Sequence, residues 1–289
     1  MRGVEMKSPE SSPVPSSQEM SRGDFLTLAT GVGLSFLLGF KAGASKRFAE
    51  PNSVPIPSHI PLSEKKKSLE KTPEQKLQEQ VRKKVAEEAQ KIFEINDYNH
   101  LIEACERVKS YSESVEKYSS QYGIDPKVMY AIIFTESKGK TDAISSAGAA
   151  GLCQITTIAA KELGLEINPE NDFRLDPVKS IEATAKLLQK YQSGNYNYSV
   201  DQAISSYNFG PTSMNRLIIE HEQLFPKEKN SNYPKIYFDL QSKPDFSGYD
   251  YLFNEIGDEG ANYYFCVLAA DEILNSKPEE IKVASDKFM

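Results

Sequence analysis

Apolar and polar residues are laid out differently in successive parts of the chain, and each layout predicts a different element. Residues 1–24 mix Ser, Pro and charge with no apolar period, which reads as a disordered N-terminus. Phe25 to Phe40 then runs sixteen residues without a charge. At ~1.5 Å per residue such a helix is about 24 Å long, short of a ~30 Å hydrocarbon core unless residues 41–44 add a turn. Residues 25–44 therefore read as a membrane anchor or as an export signal, with Ala42-Gly43-Ala44 as a small-x-small cleavage pattern. A buried core helix is the third reading. Lys and Arg are denser after this run than before it, which leans toward a cytoplasmic C-terminal side.

Residues 45–62, with Pro51, Pro55, Pro57 and Pro61, read as a semi-extended linker. Residues 63–118 open on a stretch dense in Lys, Glu and Gln. Apolar positions there are sparse, and Thr72-Pro73 offers an N-cap with Pro at the first helical position. A charged helical stalk is expected, with self-association as a short coiled coil as its sharper version. The spacing of Leu77, Val81 and Val85 is four by four and not a heptad.

From residue 119 to 289 the pattern is that of amphipathic helices with capped starts. Asp125-Pro126 and Asp176-Pro177 pair an N-cap with Pro, Ser199 to Gln202 is a capping box, and Gly210-Pro211 is a stop. Lys235–Leu240, rich in Ile, Tyr and Phe, is the one candidate strand. The fold class expected is mostly α.

Within the helix from Pro126 to Ser137, Val128, Met129, Ile132 and Ile133 share a face, and Glu136 follows on that face at the C-terminal end. Burial and the negative end of the helix dipole both raise a carboxyl pKa, which suits a general acid. A Glu that merely snorkels at a helix end is the plain alternative. Further on, Ser146 to Ile155 packs small residues and two glycines before Gln154, and Ala203 to Gly210 ends in Tyr207-Asn208. Amide, hydroxyl and carboxyl groups along an uncharged groove suit sugars. Tyr207 as a core aromatic and Asn208 as a helix end remain open beside that reading.

Composition narrows the field. The formal charge is -7 and residues from 121 onward carry about -8, so nucleic acid is not an expected partner and binding should depend weakly on salt. Cys105, Cys153 and Cys266 are too few and too scattered for a disulfide scaffold or a zinc site and read as small core residues. Three distant histidines give no support to a His-rich metal centre or a Ser-His-Asp triad. No metal or organic cofactor is expected.

Glu136-Ser137, Gly151-Leu152-Cys153-Gln154 and Ser206-Tyr207-Asn208-Phe209-Gly210 resemble, in order, the E-S, G-L-M-Q and A-Y-N-A-G motifs of the lysozyme-like lytic transglycosylases of the soluble (SLT) type. Asp176-Pro177 with Ser180-Ile181 looks like that family's D-P-x-x-N-I start. Asn262 to Ala269 looks like its closing Y-V-x-x-V-L-A helix, which makes Tyr263 the groove tyrosine and residues 215–258 an insertion. Cys153 stands where Met is usual, Ser180 where Asn is usual, and Phe209 where Ala is usual. Phe209 is expected to reshape the groove near Asn208.

The resemblance implies a lysozyme-like helical catalytic domain acting on a peptidoglycan glycan strand. It implies Glu136 as general acid and base on the bond between N-acetylmuramic acid and N-acetylglucosamine, with a 1,6-anhydro product. Ser137, Gln154, Tyr207, Asn208 and Tyr263 would position sugar and acid. It also implies an extracytoplasmic site, against the charge bias noted above. The rivals are a goose-type lysozyme, which needs a well-placed second carboxylate, and a silent, membrane-tethered wall-binding or assembly protein. Asp142 and Asp172 are the carboxylates near Glu136 in sequence, and nothing in the sequence sets either opposite it.

Overall fold

A computed structural model of the chain describes residues 70–168 and 170–288. The expected disordered N-terminus, the anchor or signal at 25–44 and the linker at 45–62 lie outside the described residues. Twelve helices follow one another: α1 Pro73–Ile95, α2 Tyr98–Lys109, α3 Ser112–Tyr122, α4 Pro126–Ser137, α5 Thr157–Leu163, α6 Pro177–Gln192, α7 Val200–Phe209, α8 Pro211–Leu224, α9 Tyr233–Gln241, α10 Ser247–Asp250, α11 Gly257–Asn275 and α12 Pro278–Phe288. One π-helical turn, Tyr251–Ile256, feeds α11. Among the described residues β-structure is limited to isolated bridges, two of them tying Ala150 to Ile144 and Ile155.

The caps read from sequence are in place. Asp125 accepts from the Lys127 N–H and Asp176 from the Lys179 N–H, each ahead of a Pro. Thr72 and Gln75 close a reciprocal capping box at the start of α1, as Ser199 and Gln202 do at α7. Gly210 ends α7 at φ 82°. Such caps satisfy orphan helix-end groups and contribute about 1 kcal/mol each.

The core is organised around α11, which is apolar on nearly every side and packs against α4, α1 and α7. A helix of that kind belongs inside a domain. Its Phe265, Ala269 and Ile273 are fully buried. At ~1.5–3 kcal/mol for each large apolar side chain, this column is the main stabilising feature.

Two expectations are corrected here. The segment from 73 to 118 is not a free stalk. Val81 and Val85 of the four-by-four stripe, continued by Ala89 and Phe93, are buried and Leu77 is half-buried; α1 packs against α11, and Phe93 stacks on Phe288 of α12. A narrow apolar stripe on a charged helix suffices to dock it when an apolar helix faces it. Lys235–Leu240 is not a strand but the body of α9, capped by Asn232 through the Lys235 N–H. Its aromatics sit at helical spacing, and Tyr233, Ile236, Tyr237 and Leu240 are buried.

Residues 215–258 are folded into the same core. Tyr233 donates its hydroxyl to the Ala261 carbonyl at 2.7 Å and Tyr237 to Asn262 Oδ1 at 2.9 Å. The Tyr233 N–H donates to Asp201. His221, Glu228 and Asp239 also converge, and the cation that the two carboxylates share is the Lys235 ammonium, 2.5 Å from Glu228 and 2.9 Å from Asp239. His221 Nε2 lies 2.8 Å from the same Asp239.

Candidate active site

A groove of about 660 Å³ follows one face of α11 from Asp258 to Cys266, about 12 Å of helix. Its other walls are α1, the end of α4, the loop before α5 and the end of α7. Glu136 projects into it from the last turn of α4, half-buried by accessible surface but with its carboxyl enclosed by protein. Burial pushes its pKa up from 4.5 to about 7; the Tyr263 hydroxyl opposes the rise and Glu259 adds to it. Tyr263 donates to Glu136 Oε1 at 2.5 Å.

Tyr207 stands beside Tyr263, rings stacked with centroids 6.4 Å apart and planes 16° from parallel. Its hydroxyl donates to the Cys153 carbonyl at 2.7 Å and lies 3.1 Å from Thr184 Oγ1. Burial raises both phenols well above the ordinary tyrosine value, so they stay protonated as donors. Asn208 is exposed on the groove, next to Gly260; a Cβ at Gly260 would come 3.2 Å from Asn208 Oδ1 and 2.6 Å from Ile256 Cγ2.

Gln154 reaches the groove from a loop of unusual backbone. It sits at φ 48°, and its Nε2 donates to the carbonyls of Ala143 and Gly151, each at 2.9 Å. Gly151, at φ 81°, packs so close to residue 174 that a Cβ would stand 1.7 Å from the Arg174 carbonyl oxygen. Arg174 braces the loop, donating to the Gly148 carbonyl at 2.7 Å and making a two-pronged pair with Asp172. That pair holds the Asp172 carboxyl below its usual range. Asp172 is thus committed to Arg174, and Asp142 is exposed and outside the groove lining.

Five of the six residues singled out in the sequence, Glu136, Gln154, Tyr207, Asn208 and Tyr263, line this one groove. Ser137 does not. Its hydroxyl is buried and donates to the Leu152 carbonyl at 2.7 Å, tying the end of α4 to the glycine loop. Phe209 also stays out of the groove lining and packs on Tyr233, ring centroids 6.0 Å apart, in a space that α9 supplies.

Sequence reasoning missed two groups. Asp258 and Glu259 line the groove on the first turn of α11, and Glu259 stands four residues before Tyr263, a spacing that puts it on the same helix face. Glu88, Lys91 and Ile92 come from α1, and no local signal in the sequence pairs them with Glu136.

An acid at the end of one helix is thus met by a tyrosine from a central apolar helix and floored by a glycine-rich loop. Residues 113–229 match the family described as Transglycosylase SLT domain, and the chain carries a domain of that family. Its relatives include a membrane-bound lytic murein transglycosylase C of Actinobacillus succinogenes, 34% identical over 122 residues, which are 38% of this chain and 34% of that protein. A transglycosylase of Enterobacteria phage PRD1 is 32% identical over 103 residues, 36% of each chain. The chain thus spans about a third of the length of these relatives. Among solved structures, an inactive mutant of lytic transglycosylase Slt from Pseudomonas aeruginosa aligns with 56% of this chain and 23% of its own, at 18% identity and a TM-score of 0.40.

Proposed function

We propose that the chain is a peptidoglycan lytic transglycosylase that cleaves the β-1,4 bond between N-acetylmuramic acid and N-acetylglucosamine. Glu136 acts as acid and then as base. The observation that carries this reading is the Glu136 carboxyl, enclosed in an open groove, with a pKa near 7 and a tyrosine fixing one oxygen. A carboxyl of that pKa is protonated in a large fraction of molecules at neutral pH. It can give its proton to the leaving glycosidic oxygen. The carboxylate left behind then takes the proton of the muramyl 6-hydroxyl as that oxygen attacks C1, closing a 1,6-anhydro ring. The nucleophile belongs to the substrate, so a single protein carboxyl suffices. Gln154, Tyr207 and Asn208 orient the sugar, and the stacked tyrosines wall the subsite.

One observation favours the goose-type hydrolytic reading: Asp258 and Glu259 bring further carboxylates to the same groove. The test is to incubate the chain and Glu136→Gln with purified peptidoglycan and weigh the released muropeptides. Products one water lighter than hydrolytic ones, lost in the variant, are expected. Hydrated products in their place would move the assignment to a lysozyme.

Relatives are named membrane-bound, and this suits an envelope location for a chain with an uncharged run at 25–40. Among the described residues no helix is long and apolar enough to cross a membrane.

A further inference from the structure

The groove is polarised along α11. Asp258 and Glu259 stand at its N-terminal end, both exposed, near Asn208. About 10 Å further along the helix, at Cys266, the wall changes to α1 and the end of α4, and contributes Glu88, Lys91 and Lys138. The Glu88 carboxylate is enclosed and already held by Lys84 at 3.0 Å and Lys91 at 3.1 Å.

Lys138 has no such partner. Among the described residues no carboxylate lies within ion-pair distance of its ammonium, which sits 4.9 Å over the Phe134 ring. Its side chain is half-buried in the groove wall, and burial pulls its pKa below the ordinary lysine value. A sheltered, uncompensated ammonium costs free energy that an incoming anion offsets. The backbone makes the choice of residue more telling. Lys138 is held at φ 52°, with its N–H on the Phe134 carbonyl at 3.0 Å and its own carbonyl accepting from Arg107 Nε at 3.1 Å. This left-handed helix end favours Gly. The helix dipole accounts for a cation on the solvent side of such an end, not for one lining the groove two residues from the acid.

We propose that Lys138 forms a subsite for a carboxylate of the peptide stem carried by the glycan. This rests on the peptidoglycan reading above. The sugars of such a strand are neutral; its carboxylates sit on the stem, or on the lactyl group where the stem has been removed.

The test is calorimetric binding of soluble muropeptides to the full chain carrying Glu136→Gln. The ligands are a disaccharide with a tripeptide stem, the same compound with its stem carboxyls amidated, and the disaccharide with a free lactyl carboxylate. The stem-bearing compound should bind about tenfold tighter than the other two. Adding Lys138→Gln or Lys138→Gly should erase the difference, and Lys138→Arg should keep most of it. Lys138→Gly should melt no lower than its parent, which separates lost binding from lost fold. Equal affinity for the free and amidated stems overturns the subsite, and so does tight binding of the lactyl compound. If the Lys138 dependence holds while peptidoglycan is never cut, the transglycosylase reading falls and the subsite stands. If peptidoglycan is cut but binding ignores Lys138, the subsite alone falls.

Discussion

The Tyr263 hydroxyl donates to Glu136 Oε1 at 2.5 Å across 127 residues of chain, joining the end of α4 to the middle of α11. A donor on a carboxylate stabilises the anion, so this bond holds the Glu136 pKa below what burial alone sets. Tyr263→Phe should therefore raise that pKa further and move the basic limb of the pH–activity profile upward. With one oxygen no longer fixed, kcat should fall by about ten- to a hundredfold. A basic limb that stays put or moves down in Tyr263→Phe would contradict this account.

Glu259 acts in the opposite sense. Its charge raises the Glu136 pKa, so Glu259→Gln should lower that pKa and shift the basic limb of kcat/KM downward. The two variants displace one limb in opposite directions, which a general loss of folding does not produce.

The acid should also cost stability. The folded pKa of about 7 stands above the ordinary 4.5, so between these values the folded state keeps a proton that the unfolded chain has released. The stability linked to Glu136 is therefore full below about pH 4.5, falls as pH rises to 7, and is flat above. The loss is on the order of 3 kcal/mol. Asp271 and Glu272, raised to about 6 and about 7, add to the same trend. Subtracting the pH dependence of Tm for Glu136→Gln from that of the parent isolates the Glu136 share. The variant should be the more stable protein at pH 8, with the gap closing near pH 4.

Gly151→Ala should be among the most damaging small changes in the chain. The added Cβ would meet the Arg174 carbonyl at 1.7 Å while the backbone holds φ 81°. We expect a loss of about 3 kcal/mol or more in denaturant unfolding, with activity falling as the Gln154 loop moves.

Removal of α1 tests how far the folding unit extends. A chain beginning at Tyr98 keeps all of the family-matched region, 113–229, but exposes the faces of α11, α9 and α12 that α1 covers. It should melt without a cooperative transition when followed by circular dichroism. A sharp melt would show that α1 is an accessory.

What the sequence disclosed follows the range of each signal. Caps and stops act within four residues, and those at Asp125, Asp176, Ser199 and Gly210 were legible as written. The buried carboxyl was legible because Glu136 shares the apolar face of its own helix. Features that depend on a partner element were not. The α1 stripe looks like a solvated helix until α11 faces it, and α9 looks like a strand because Ile, Tyr and Phe favour both states. Ser137 and Gln154 look equivalent as polar neighbours in the motifs. Only the packed loop turns one toward the Leu152 carbonyl and the other toward the groove.

The separation of 127 positions between Glu136 and Tyr263 also orders events during synthesis. When α4 leaves the ribosome its acid faces water, without the helix that encloses it and without a donor on its oxygen. It is then an ordinary glutamate. It acquires a pKa near 7 only when α11, close to the C-terminal end of this sequence, has been made and has docked. The enclosed form of Glu136 is therefore a property of the chain only after α11 has been made, not of any shorter nascent segment.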